Sequence, residues 1–182
     1  LNGDSHLEQT IQSVLHQGYR NIEYIVIDGG STDRSLDIIT KYKDEIDYLV
    51  SEPDKGIYDA MNKGINLAHG ELIGLLNADD YYESDAIESV VNKYKANPSQ
   101  HILFGNTYML QEDMNLRYKH YSHTRYWLGM GICHPAMFVH KDIYKMIGAF
   151  DLHYRISADF DFMVRALLKK VMFVPVNKFL VN

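Results

Sequence analysis

The sequence predicts an α/β fold, a mainly parallel sheet flanked by helices, and three observations carry that expectation. In the first half, short apolar runs rich in β-branched residues alternate strictly with segments of helical periodicity, the order that builds a parallel sheet covered by helices. Three of these runs end in acid: Asp28 after the first, Asp54 just past the second, Asp79 and Asp80 after the third. The third run, residues 72–76, is bounded by Gly70 and Asn77 and reads as a strand buried on both faces.

Taken in order, Ser5 and Glu8 have the spacing of a capping box, and Leu7, Ile11, Val14 and Leu15 recur at helical intervals, so residues 5–17 are expected to be helical. Residues 22–27 read as a strand ending in the tight turn Asp28-Gly29-Gly30. Ser31 or Thr32 can cap the next helix, whose apolar positions Leu36, Ile38 and Ile39 run towards Tyr42. Residues 48–51 form a short strand and 52–56 a turn. Ile57, Met61, Ile65 and Ala68 then line one face of a helix that stops at Gly70. After the run at 72–76, Ser84 caps a helix to about Lys95, closed by Asn97-Pro98. The second half is mixed: a strand at 102–110, a polar turn at 111–115, a returning strand at 116–123, an irregular aromatic stretch at 126–134 and a strand at 136–139. A helical turn follows at 142–147, then a helix capped by Ser157 and a last strand at 171–176. No repeat, low-complexity tract or linker interrupts the chain, so one domain over 1–182 is expected.

The composition narrows the function. The 182 residues, 46% hydrophobic and 23% charged, are those of a globular chain with a full core. A net charge of -6 argues against a nucleic-acid partner, which needs a basic footprint. Cys133 is the only cysteine, which excludes an internal disulfide and reads as a small buried hydrophobe. No stretch approaches the length of a membrane span. The chain opens on Leu-Asn-Gly-Asp and enters a helix at once, so a preceding piece is expected to be absent.

In a parallel sheet the acids at the three strand ends share one rim, where like charges are costly unless a cation or strong donors offset them. Each acid alone is an ordinary turn residue; together they outline a site. Asp79 and Asp80, adjacent and without a basic neighbour, suit a hard cation such as Mg²⁺ or Mn²⁺ bound jointly with substrate phosphates. Asp28 and Asp54 are acceptors suited to ribose hydroxyls or a base N–H, and Asn77 could hold a ribose or sugar hydroxyl. Lys55, beside the start of the helix from Ile57, could meet phosphate there. A glycine-rich phosphate loop is not present: neither G-x-G-x-x-G nor G-x-x-x-x-G-K-S/T occurs.

Five blocks, IEYIVIDGGSTDRSLDII, SEPDKGIYDAMNKGI, AHGELIGLLNADDYY, HPAMFVHKDIYKMIGAFD and ISADFDFMVRAL, in that order resemble the family 2 glycosyltransferases of the GT-A fold, closest in flavour to bacterial enzymes that build O-antigen, capsule or other surface polysaccharide. The resemblance covers nearly the whole chain. It implies inverting transfer from a nucleotide-diphosphate sugar, often UDP-linked, with Mg²⁺ or Mn²⁺, to a saccharide or lipid-linked saccharide. The implied place is the cytoplasm, at the inner face of the membrane. The nucleotide and metal would bind in residues 1–110 and the acceptor in 111–182. Two departures stand out. The family opens with a strand that holds part of the nucleotide and ends in a Pro-x-x-Asn turn, of which Asn2 is at most a remnant. Asn77 also stands where many members carry the first Asp of the D-x-D motif, leaving the metal on Asp79 with Asp80 in support.

Asp159 is the expected catalytic base. It lies in the first turn after Ser157, off the stripe of Phe160, Met163, Val164 and Leu167, with Phe160 and Phe162 placed to raise its pKa by desolvation. Asp161 competes for the role, and either acid could merely complement the helix dipole. His134, before Pro135, is either a loop-ordering or ligating group or a satisfied structural histidine. Trp127, with Tyr118, Tyr121 and Tyr126, could stack on acceptor sugars or simply pack. The rival readings are a non-catalytic nucleotide-sugar binding module and a sugar nucleotidyltransferase. The latter is expected to carry a basic, glycine-rich N-terminal loop that is not seen here.

Overall fold

The structure is a computed structural model that describes residues 1–96, 98, 101–111, 116–124 and 131–182. The described elements run α1 (Leu7–Leu15), β1 (Ile25–Asp28), α2 (Ser35–Lys41), β2 (Tyr48–Ser51), α3 (Ile57–Leu67), β3 (Leu72–Gly74), α4 (Ala86–Ala96), β4 (His101–Gln111), β5 (Leu116–His120), β6 (Met137–His140), α5 (Lys141–Ile147), α6 (Ala158–Leu168) and β7 (Met172–Val181). Asn97, residues 112–115 of the polar turn before β5, and Tyr126 and Trp127 of the aromatic stretch lie outside the described residues.

The α/β architecture is the expected one, but the strands pair less regularly than a mainly parallel sheet. β1 and β2 form a parallel pair from Ile25 opposite Tyr48 to Asp28 opposite Ser51. The third strand of the expected rim, β3, joins a second sheet instead, antiparallel to β6. There β4 is the central strand, antiparallel to β6 and β5 and parallel to β7. The cause lies in the connections of the second half: β4 returns directly as β5, so that pair must run antiparallel.

The central strand carries Ile102, Leu103 and Phe104, each nearly inaccessible, and feeds two packed clusters. One contains Met61 and Ile65 of α3, Ile143 of α5 and Phe162 and Met163 of α6. The other contains Ala86 and Val90 of α4, Leu103 of β4 and Leu180 and Val181 of β7. A third, smaller cluster joins Leu7 and Ile11 of α1 to Ile38 and Ile39 of α2. The last strand is longer than its expected 171–176, since Pro175 and the left-handed Asn177 are absorbed where the register against β4 shifts between Phe104 and Thr107. Gly105 lies within that irregularity, and any side chain there would strike Leu180.

Helix starts depart from the expected caps. The Ser5 hydroxyl turns to Asp4, and the first amides of α1 are met by the Gly3 carbonyl, which accepts from His6 and Leu7. Ser31 is drawn to Asp28, so α2 opens under Asp33, whose carboxylate accepts from the Ser35 amide at 2.9 Å. Ser157 makes no side-chain cap and sits instead in the left-handed region, φ 67°.

Candidate active site

The segment after β3 is fixed from below by α1. The Thr10 hydroxyl lies 2.8 Å from both the Ala78 and the Asp80 carbonyls, donating to one at a time. One turn on, Ser13 Oγ accepts from the Tyr82 amide; a further turn on, Gln17 donates to the Glu83 carbonyl and accepts from the Ile87 amide. Thr10 and Ser13 lie one turn apart on α1 and Gln17 just past its end, so the helix and its exit present a polar seam beside the apolar stripe. Within the segment, the Asn77 amide donates to Asp80 Oδ2 at 2.8 Å and Asp79 stays exposed. Burial, reinforced by the charge of Asp79, pushes the Asp80 carboxyl above its usual range, against the pull of Asn77 and His134.

Asp159 faces this segment from α6. It is 7% exposed and belongs to the buried face formed with Phe162, Met163 and Ala166, not to the open side expected for it. Its Oδ1 accepts from the Tyr58 hydroxyl at 3.1 Å and from the Phe160 amide at 3.0 Å; its Oδ2 lies 3.5 Å from His134 Nδ1. Burial acts to raise its pKa, as the flanking phenylalanines suggested. The hydrogen bond and charge of His134, with the Tyr58 hydroxyl and the Phe160 amide, outweigh that and hold the carboxyl below the usual range. A cleft of about 410 Å³ is lined by Asn77, Asp80, Cys133, His134 and Asp159 among others. The buried His134 Nε2 has no hydrogen-bond partner among the described residues.

The other sequence candidates separate from this cleft. Asp28 is 4% exposed, and its carboxylate accepts from the amides of Gly30 and Ser31 and the hydroxyls of Ser31 and Ser51. Those donors outweigh burial and lower its pKa. Asp54 accepts from the Gly56 amide at 2.8 Å and lies so close to Gly29 that a side chain at Gly29 would run into its carboxylate. Asp28 and Asp54 are thus neighbours on the β1–β2 edge. A small cavity of about 40 Å³ joins Asp28 to Ala78 and so to the segment after β3. Asn2 bonds this same edge, accepting from the Thr32 amide and donating from its own amide to Ser31 Oγ. Lys55 is exposed beside Asp54. Asp161 is taken by Arg165 at 2.8 Å. Trp127 lies outside the described residues. Tyr58 is a site residue without a sequence signal of its own, although it stands inside one of the five blocks, directly after Ile57; nothing local marks a tyrosine whose partner is 101 residues away.

A model of the family described as glycosyl transferase family 2 matches residues 1–153. The chain belongs to that family. A PGL/p-HBAD biosynthesis glycosyltransferase from Mycobacterium bovis is 31% identical over 98% of this chain and 73% of its own length. An uncharacterized glycosyltransferase of Mycobacterium tuberculosis is 35% identical over 89% of this chain and 64% of its own. Among solved structures, Staphylococcus aureus TarS residues 1–349 with UDP superposes with a TM-score of 0.80 at 17% identity, over 99% of this chain and 56% of that one. The mannosyltransferase PcManGT from Pyrobaculum calidifontis, with GDP-Man and Mn²⁺, superposes at 0.70 and 17% identity, over 96% of this chain and 51% of that one. The fold is therefore GT-A, and this family 2 glycosyltransferase spans just over half the length of those solved chains.

The transferase's donor set fits a divalent cation held partly by substrate. Asp79 and Asp80 supply hard oxygens; burial first and the charge of Asp79 second raise Asp80, and the second of these is what a cation would relieve. Among the described residues no group of three or more His, Cys, Asp or Glu is placed to hold a metal ion by itself.

Proposed function

We propose that this chain is an inverting glycosyltransferase that moves a sugar from a nucleotide-diphosphate donor, UDP-linked, to a hydroxyl of a saccharide or lipid-linked saccharide in surface polysaccharide synthesis. The observation that carries this is the single cleft in which Asn77, Asp80, His134 and Asp159 meet. Residues 1–110 form the donor half and 111–182 the acceptor half of one catalytic domain. Asp28, through the turn it holds, and Asp54 line the nucleotide side; Asn77 meets a ribose or sugar hydroxyl; Lys55 lies near the phosphates. Asp79 and Asp80 hold Mg²⁺ or Mn²⁺, which when bound stabilises the negative charge gathering on the departing diphosphate. Asp159 takes the proton of the acceptor hydroxyl. That oxygen attacks the anomeric carbon from the face opposite the diphosphate, whose bond to carbon breaks and keeps its electron pair. Trp127 and His134 belong to the acceptor side. No described helix is long and apolar enough to cross a membrane. Peripheral association would put the chain at the inner face of the membrane. Support comes from the mycobacterial relative, named a PGL/p-HBAD biosynthesis glycosyltransferase, and from the UDP and UDP-GlcNAc complexes of TarS.

Thermal unfolding with UDP, GDP and dTDP, each with and without Mn²⁺, tests the donor half. A nucleotide at about 100 times its Kd adds about 2.7 kcal/mol, several degrees in Tm for a chain of this size. We expect a UDP shift that requires Mn²⁺ and is lost in Asp79→Ala; a GDP-only shift, or one indifferent to Asp79, would overturn the donor or the metal assignment.

A further inference from the structure

Tyr58 is the second residue of α3, the helix that leaves the Asp54-Lys55-Gly56 turn, and it reaches across the molecule to α6. Its hydroxyl donates to Asp159 Oδ1. Its ring packs on Phe150 at 5.4 Å between centroids, and Phe150 in turn packs on Phe162 at 5.5 Å. Asn62, one turn further along α3, pins the backbone of the same Phe150 twice, donating to its carbonyl and accepting from its amide, both at 2.9 Å. α3 therefore grips the approach to α6 at two successive turns, and one grip ends on the carboxylate itself.

The two oxygens of that carboxylate are not equivalent. Oδ1 receives both the Tyr58 hydroxyl and the Phe160 amide, whereas Oδ2, among the described residues, faces His134 Nδ1 at 3.5 Å. A carboxylate with one oxygen doubly bonded takes a proton on the other. Burial first, and the charge of Asp159 second, push the Tyr58 phenol up, so it stays a neutral donor throughout the working range.

We infer that Tyr58 is a positioning residue for glycosyl transfer: it fixes Asp159 through Oδ1 and so directs the acceptor proton to Oδ2. The inference rests on the reading of Asp159 as the base. In the step it serves, the acceptor O–H bond breaks with its proton going to Oδ2, the new bond forms to the anomeric carbon, and the diphosphate leaves with the electron pair. The grip also ties the base to the turn that carries Asp54 and Lys55, so donor side and base are set by one helix.

The test uses Tyr58→Phe, which keeps the ring and its packing on Phe150 and removes only the donor. The side-chain carboxyl of Asp159 is followed by ¹³C NMR across a pH titration, its signal assigned by loss in Asp159→Asn. UDP release from UDP-GlcNAc plus Mn²⁺ is measured in parallel, with thermal unfolding to confirm that the variant is folded. We expect the Asp159 midpoint to move to higher pH and UDP release to fall about tenfold with KM for UDP-GlcNAc little changed. Adding Tyr58→Phe to Asp159→Asn should cost nothing further. An unmoved midpoint overturns the positioning role whatever the activity does, and needs no turnover to be read. Full UDP release by Asp159→Asn would instead overturn the base assignment, and with it the catalytic meaning of the Tyr58 bond, while leaving the hydrogen bond itself standing. If Tyr58→Phe unfolds, Asn62→Ala, which spares the hydroxyl and removes the other grip without adding a charge, should raise the Asp159 midpoint; a midpoint indifferent to it overturns the coupling through α3.

Discussion

Asp28 shows how a residue type that reads as a ligand becomes a piece of architecture. Four donors converge on its carboxylate, from the following turn and from Ser51 on the neighbouring strand, so its chemistry is spent on holding the β1 end against β2. Removing it in Asp28→Ala strands buried hydroxyls and amides, and we expect a loss of about 2–4 kcal/mol, measured by urea unfolding at neutral pH. A loss below about 1 kcal/mol would mean that water replaces the carboxylate at no cost. The acids themselves were legible in the sequence because they stand at strand ends. Their allocation was not: whether a carboxylate faces a ligand or a serine depends on partners such as Ser51 and Tyr58 that are far away in the chain. For Asp159 the flanking phenylalanines gave the right burial and the wrong direction of shift, since the groups that decide it, His134 and Tyr58, come from other elements.

At the scale of elements, α1 and α3 act as mounts. The apolar stripe of α1 was readable from Leu7, Ile11 and Val14 at helical spacing, but Thr10, Ser13 and Gln17 look like ordinary surface polar residues until the backbone they bond is known. Gln17 is 1% exposed, and its amide meets the Glu83 carbonyl and the Ile87 amide. Gln17→Leu keeps the volume and leaves both backbone groups without their partner, so we expect a destabilisation of about 1–3 kcal/mol together with weaker Mn²⁺-dependent UDP binding. Calorimetry of the variant would show both; loss of stability with unchanged UDP affinity would mean that the seam supports the core and not the segment carrying Asp79 and Asp80. The strand order escaped sequence reasoning for a related cause. The run at 72–76 announced a strand, but only Leu72–Gly74 is one, with Ile73 alone buried in it, and nothing in the run says that its partner is β6, since an apolar run suits a parallel or an antiparallel neighbour equally.

For the whole molecule, the carboxylates predict how stability follows pH. Asp28 and Asp159 are depressed in the folded state, so their contribution is present above the unfolded value, near 3.9, and is lost as pH falls through their folded values. Asp80 is raised and has the opposite sign: its ionisation weakens the fold as pH rises through its folded value. Thermal unfolding between pH 3 and 8 should therefore fall away below about pH 4, and Asp80→Asn should lie above wild type at neutral pH by about 1–2 °C while losing any Mn²⁺-dependent shift. A variant no more stable than wild type at pH 7 would show that the repulsion at this segment is already screened.

The placement of β7 carries a further consequence, for the order in which the molecule can be made. β7 is the last described strand, and it pairs with β4, the strand through which β5 and β6 are joined, starting with Met172 opposite His101. At a synthesis rate of about 5–20 residues per second, one flank of β4 with Leu103 waits several seconds for the strand that brings Leu180 and Val181 to it. Until then the emerging chain offers an unpaired apolar edge, which is the kind of surface that chaperones hold and that neighbouring copies capture.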